Sequence, residues 1–280
     1  MKQLLEIDHM KSKKFIAPGG WFEMTYPASF QEDEDSQEAF LFYDPASWSG
    51  NFRISAYRGP DPGYAQACLR EELQSARGAV KVMVGPYECA YQRHDYKEDG
   101  MEYADHSWVM GKGDLAFYVS FACERKASNQ VALDIISSLT PRDPGKKYPP
   151  ETIPVRLLEI QEIDEGYDRI QRAVKQRFTK DFRGEEEDVA LLDRLVKEGG
   201  LSTSKRDVWV DLGITLLAII CNQYEGYEWQ TLVDQDREAP VLLETFSGKI
   251  WDPKTLVWDR VRKGQTPDMQ LLLQEILESA

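Results

Sequence analysis

The chain is poor in the residues that most often carry chemistry. Of 280 residues only 3 are histidine and 4 are cysteine. Cys68, Cys89, Cys123 and Cys221 form no Cys-x-x-Cys pair, which excludes a zinc ribbon and a thioredoxin-type redox motif. Gly-x-Ser-x-Gly is missing, so no nucleophile elbow is encoded. No Gly-x-Gly-x-x-Gly or Walker loop follows a strand pattern, and Gly111-Lys112-Gly113 reads as a hairpin turn. A long hydrophobic run is also lacking. The most apolar stretch, residues 208–221, is interrupted by Asp211 and is too short to span a bilayer. The first eight residues place Glu6 and Asp8 where a signal peptide needs an apolar core. The expectation is a chain with no membrane segment and no export signal, with reduced thiols, in the cytoplasm. A Cys89–Cys123 disulfide stays open if their strands are neighbours.

Positive charge is scarce as well. Lys and Arg number 34 against 48 Asp and Glu, for a net charge of -14, split as -7 in residues 1–145 and -7 in 146–280. Phosphate-backbone binding needs clustered cations, so nucleic acid is not an expected partner. The acidity serves solubility or attraction to a basic protein.

What is present is a globular composition, 42% hydrophobic and 11% aromatic, long enough for two domains. Short aromatic and β-branched runs at 15–16, 21–26, 39–43 and 52–57 predict strands. The acidic run Glu32-Asp33-Glu34-Asp35 between them reads as a solvated loop. Asp61-Pro62 predicts a helix start, with Tyr64, Cys68, Leu69, Leu73 and Ala76 on one face and Arg77-Gly78 at the end. Strands follow at 80–84, 87–96, 102–110 and 115–123, joined by glycine-bearing turns. A second helix runs from a Ser128 cap to about Leu139. Residues 141–154 contain five prolines and read as a linker. Beyond it, helices are predicted at 164–182, 185–196 and 206–221, the last apolar all round and therefore central. Strands at 227–234, 239–244 and 247–251 and a helix at 268–278 complete the chain.

The order of elements in the first half resembles the PsbP-like fold. The features that carry the resemblance are Gly20-Trp21-Phe22 leading to Tyr26-Pro27, the 52–57 strand, the helix after Asp61-Pro62, the 87–123 meander and the final helix. The resemblance implies an antiparallel sheet between helices, used mostly for protein binding. The second half is similar to a bacterial domain of uncharacterised function, through Trp209, Leu212-Gly213, Trp229, Ile250-Trp251-Asp252-Pro253, Val257 and Arg260. The pairing resembles uncharacterised bacterial proteins of the gut-commensal type. The expected fold class is α+β. A PsbP-like α/β/α sandwich with an antiparallel sheet occupies 1–143, and a linker 144–154. A helical region packed on a small antiparallel sheet occupies 155–280.

Candidate site residues each have a structural alternative. His94 and His106 lie on one predicted hairpin. A two-residue Asp99-Gly100 turn sets His94 opposite Asp105 and Arg93 opposite His106, whereas a three-residue turn shifts both. A metal or acid–base pair from His94, Asp95, Asp105 and His106 competes there with solvent-facing cross-strand pairing. Arg169, Arg172, Lys180 and Arg183 form a basic stripe, either a contact for an acidic partner or an ordinary exposed helix face. Trp48 sits in the turn-rich Asp44-Pro45-Ala46-Ser47-Trp48-Ser49-Gly50 loop near Tyr43 and Tyr57. An exposed Trp there is a contact hot spot or a sugar-stacking platform; a buried one packs under the loop. No catalytic residue, metal site or cofactor is expected. The leading expectation is a non-enzymatic protein-binding or adaptor protein whose partner is basic, with toxin immunity as one version. The alternatives are a hydrolase with a carboxylate site between the domains and a small-ligand sensor.

Overall fold

The computed structural model describes residues 12–36, 39–235 and 237–279. The chain divides into two units, Met1–Lys147 and Tyr148–Ala280. In the first unit the strands are β1 (Ser12–Ile16), β2 (Phe22–Pro27), β3 (Gln31–Ser36), β4 (Ala39–Tyr43) and β5 (Asn51–Arg58). Helix α1 (Tyr64–Ser75) precedes β6 (Val80–Val84), β7 (Tyr87–Glu98), β8 (Met101–Lys112) and β9 (Leu115–Glu124). Helix α2 (Gln130–Ser138) and the short β10 (Thr140–Pro141) close the unit.

Seven strands form one antiparallel sheet in the order β3-β4-β5-β9-β8-β7-β6, and β1-β2-β10 form a second, smaller one. The period-2 alternation of the strands sends alternate side chains to opposite faces. Phe52, Ile54, Trp108, Met110, Phe117 and Phe121 point to one face and pack with Phe15, Phe22 and Phe42 and with Ile135 and Ile136 of α2. The rings meet edge to face, as in Phe22–Phe117 at 5.3 Å and 81°, an arrangement that aromatic quadrupoles favour. On the other face α1 lays Ala65, Cys68 and Leu69 over Ala90, Val109 and Ala116. That approach depends on Gly111, where a Cβ would come within 2.2 Å of the Leu115 carbonyl oxygen and 2.8 Å of Ala65.

The second unit holds β11 (Glu151–Pro154), α3 (Leu157–Phe178), α4 (Val189–Glu198), α5 (Arg206–Gln223), β12 (Tyr227–Asp234), β13 (Arg237–Glu244), β14 (Ile250–Trp251), α6 (Asp259–Arg262) and α7 (Met269–Leu277). Its strands form one antiparallel sheet, β11-β12-β13-β14. The apolar α5 is the centre, with Leu212, Leu216, Leu217, Ile219 and Ile220 fully buried against α3, α4, α7 and the sheet. The class is α+β throughout.

Several elements differ from the sequence-based expectation. The acidic run is strand, not loop: Glu32 pairs with Phe42 and Asp33 with Leu41. β3 is an edge strand, where charged side chains can sit in water while the backbone pairs on one side. Glu151–Pro154 is likewise paired to β12 rather than free linker, which its prolines permit because β11 is also an edge. Helix α1 begins two residues after Pro62, and Asp61 accepts the Gly63 N–H at 2.8 Å in the turn before it. Helix α3 starts seven residues before 164 and stops at Phe178, where Thr179 adopts φ 54°. Cys89 on β7 and Cys123 on β9 flank β8 instead of each other, so the disulfide that neighbouring strands would allow is ruled out by strand order. All four cysteines are free. Among the described residues no helix is long and apolar enough to cross a membrane.

Candidate functional site

The half of the seven-stranded sheet that lies beyond α1 gathers most of the polar and aromatic candidates of the first unit. The β7–β8 turn fixes the register. Asp99 and Gly100 have φ of 47° and 85°, the pair of positive angles a two-residue hairpin turn requires. His94 therefore faces Asp105, and Arg93 faces His106. Adding the β8–β9 and β5–β9 pairings builds rows across four strands. One row reads Arg53, Ser120, Ser107, Gln92. The next reads Asn51, Ala122, Asp105, His94. A third sets Glu124, Tyr103 and Tyr96 side by side.

Trp48 borders these rows. It is 43% exposed. Asp44 accepts the backbone N–H groups of Ala46 and Ser47 at 2.9 Å each, which folds the loop over itself. The indole N–H donates to Asn51 Oδ1 at 2.7 Å, and the ring stands edge-on to Tyr103 at 6.1 Å. Tyr103 stacks on Tyr96 at 5.5 Å, and Tyr96 on His94 at 6.3 Å. Four rings thus run continuously from the loop to the edge of the polar rows. Each has a fixed neighbour, so little rotamer freedom is left to lose on contact. Tyr43 lies two residues along β4 from Leu41, whose partner on β5 is Arg53. Tyr57 lies at the other end, edge-on to Tyr118.

Asp105 and His106 show how one strand serves two environments. Asp105 is half-buried on the rows, and loss of water raises its pKa, while Arg53, His106 and His94 pull it back. His106 points to the opposite, core face and is 4% exposed. It lies parallel to Trp108 and Tyr91, and its Nδ1 is 2.8 Å from the Tyr91 hydroxyl and 3.2 Å from Asn129 Nδ2. Burial, with help from Arg93, lowers its pKa. The structure therefore separates His94 from His106 across the sheet. Neither alternative written for the pair describes His106, which is a buried, hydrogen-bonded core residue. Among the described residues no three His, Cys, Asp or Glu side chains converge as metal ligands.

The basic stripe of the second unit is not one helix face. Arg169 on α3 donates to both carboxylate oxygens of the buried Asp211 on α5, at 2.8 and 3.0 Å, and to Glu165 at 3.2 Å. Those bonds, foremost the one to Asp211, raise its pKa. Arg172 donates to the Asp168 carbonyl. Lys180 and Arg183 lie past the end of α3, exposed in the segment before α4. Sequence periodicity placed all four together by extending the helix too far.

Two features of the second unit escaped the sequence. Arg156, 1% exposed, binds Glu159 through Nε at 2.8 Å and again through Nη2, and binds Glu238 at 2.7 Å. Thr231 closes the cluster by donating to Glu159 at 3.0 Å and accepting the Arg156 N–H at 3.1 Å. Beside it is a cavity of about 70 Å³ lined by Glu162, Arg206, Arg237, Glu238, Asp252 and Lys254, with Val210, Ile214, Pro240 and Pro253 as its apolar wall. No local motif signals either, because the residues come from α3, α5, β13 and the turn after β14.

Fold and rows together define a two-unit α+β protein with an aromatic-edged polar sheet face. The chain belongs to the family described as domain of unknown function (DUF3805), whose model matches residues 10–164. A second model, domain of unknown function (DUF3806), matches residues 188–272. A crystal structure from Bacteroides thetaiotaomicron VPI-5482 is 41% identical, with a TM-score of 0.93 over 97% of this chain and 100% of that one. Cyanobacterial PsbP (CyanoP) from Synechocystis sp. PCC 6803 is similar over 51% of this chain and 99% of its own, at 10% identity and a TM-score of 0.28. LpqN, involved in cell envelope biogenesis of Mycobacterium tuberculosis, is similar over 48% and 91%, at 14% identity and the same TM-score of 0.28. Likenesses at that score carry no argument about function. No curated protein matches the chain.

Proposed function

We propose that this is a non-enzymatic binding protein, and that the first unit's sheet face receives a protein partner with a basic surface. The observation that carries the reading is the run of Trp48, Tyr103, Tyr96 and His94 beside the Arg53–Gln92 and Asn51–His94 rows. Pre-positioned aromatic rings next to hydrogen-bonding side chains are the usual make-up of an interface hot spot. Asp105 and Glu124 put carboxylates on the same face, and a net charge of -14 would speed encounter with a cationic partner. Capture of a basic toxin is one concrete form of this role. The free cysteines, three of them buried, suit a reducing compartment, and we place the protein in the cytoplasm on that ground.

The test uses the intact chain as bait in lysate of the native cell, alongside Trp48→Ala and Tyr103→Ala. A single stoichiometric, salt-sensitive partner, released at least tenfold faster by either variant, is the expected result. A partner retained equally by both variants, or no partner above background, would remove the sheet face from the account.

A further inference from the structure

The seven-stranded sheet has two edges, and they are finished differently. At one, β3 carries Glu32, Asp33, Glu34 and Asp35 and shifts register between Glu34 and Ser36. A run of like charges and a bulge both keep an edge from adding a strand. At the other, β6 reads Val80-Lys81-Val82-Met83-Val84 and has neither device. Its register with β7 is unbroken, and Val80 and Met83 are 52% and 66% exposed. Its one charge, Lys81, is paired with Glu88 of β7 at 3.0 Å. The two-residue Gly85-Pro86 turn makes Val84 and Tyr87 a hydrogen-bonded pair. By alternation Val82 and Val80 also bond to β7, and the N–H and C=O groups of Lys81 and Met83 point away from the sheet. Outside the β6–β7 ladder neither residue makes a backbone hydrogen bond among the described residues.

We propose that β6 is a self-association edge, through which two copies of the chain pair antiparallel about a two-fold axis at Val82 and join their sheets into one. The strand's own sequence and its outward groups select that register. With Val82 opposite Val82 of the second copy, Lys81 faces Met83 and Val80 faces Val84. The outward-pointing residues then meet each other at two pairs, and each pair exchanges two N–H···O=C bonds. On one face valine meets valine, a favourable cross-strand match. On the other the Lys81 stem lies along Met83, while its ammonium keeps Glu88. An axis at Lys81 would oppose two ammonium groups. An axis at Met83 would set Lys81 against the turn residue Gly85, and an axis between residues would set outward groups against inward ones. The two-fold contact also closes on itself, whereas pairing β6 with β3 of another copy would run on into a filament.

Sedimentation velocity of the intact chain over a concentration series tests the proposal. Reversible monomer–dimer exchange is expected, shifting toward dimer with added salt because each copy carries a net charge of -14. Met83→Pro and Met83→Lys alter an exposed position whose N–H bonds nothing within the chain, so both should keep the native circular-dichroism spectrum. The first removes a donor from each pair, and the second sets lysine against Lys81. Each should weaken dimerisation about tenfold or more. Cysteine pairing reads the register. Val82→Cys, on the axis, should form an interchain disulfide on mild oxidation, since opposed Cα atoms about 4.5 Å apart allow one. Val80→Cys, away from the axis, should not. A chain that stays monomeric up to its solubility limit, a dimer indifferent to both Met83 variants, or crosslinking through Val80→Cys as readily as through Val82→Cys would each overturn it. None of these outcomes involves Trp48 or its rows, so the sheet-face reading stands or falls separately.

Discussion

The two units hold most of their charge differently, although the first also closes one buried Arg142 on Glu23. In the second, Arg156, Glu159, Glu238 and Thr231 satisfy one another out of water, and Arg169 is locked to Asp211 on the neighbouring helix. In the first, the core is aromatic, and polar and ionisable groups such as Asp105, His94 and Glu124 are laid along a sheet face that α1 covers only at one end. Buried ions that close on each other have no bonding capacity left for a ligand, and their role is to fix which helix lies on which strand. Charges spread on a half-exposed sheet keep that capacity. The difference teaches that density of ionisable residues does not locate a site; uncommitted ones do.

The sharpest way to break the comparison is Arg156→Met. It strands Glu159 in the interior, and leaving a buried charge unpaired costs about 3–5 kcal/mol. Urea unfolding should report that loss, and a cost under about 1 kcal/mol would mean the cluster is hydrated. Next is Gly111→Ala. The added methyl must displace α1 or the Leu115 carbonyl, at about 1–3 kcal/mol, again read by urea midpoint.

His106 gives a smaller effect with a defined sign. Its folded pKa lies below the ordinary value of about 6.5, so the unfolded chain binds the extra proton first. Its contribution is present in full above about pH 6.5 and is lost as pH falls toward the lowered folded value. His106→Phe should flatten the stability–pH curve in that window, and a curve parallel to the native one would sink the assignment. The smallest effect on stability is expected from Trp48→Ala. An exposed ring with one hydrogen bond and one ring contact should cost under about 1 kcal/mol, while binding to the partner falls sharply. A large thermal destabilisation would show that Trp48 is a structural prop of its loop.

Much of the fold was legible in residue order. Alternating Phe, Ile and Val marked the strands, and α5 announced its burial by being apolar on every side. The errors fell where local pattern and tertiary pairing disagree. Glu32-Asp33-Glu34-Asp35 has the composition of a loop, yet its backbone pairs with β4 because an edge strand needs only one apolar neighbour. The segment 151–154 looked like linker for its prolines and pairs at an edge for the same reason. Of the candidate site, Trp48 and the His94–Asp105 pairing could be named in advance, the latter as one of two registers. The ring series Trp48–Tyr103–Tyr96–His94 could not, since it depends on the loop after β4 reaching β8.

By itself, then, the sequence determined the α+β class, most but not all of the strands and helices, the acidic balance and the lack of zinc-ribbon, nucleophile-elbow and phosphate-loop motifs. Those properties are local or additive and need no knowledge of partners in space. Tertiary structure alone decided which charges cancel. Arg169 turned from a surface cation into half of an ion pair because α5 brings Asp211 to it. Glu162, Arg206 and Lys254, distant in sequence, came to line one cavity. Electrostatic energy depends on distance and burial, and neither is written in the order of residues.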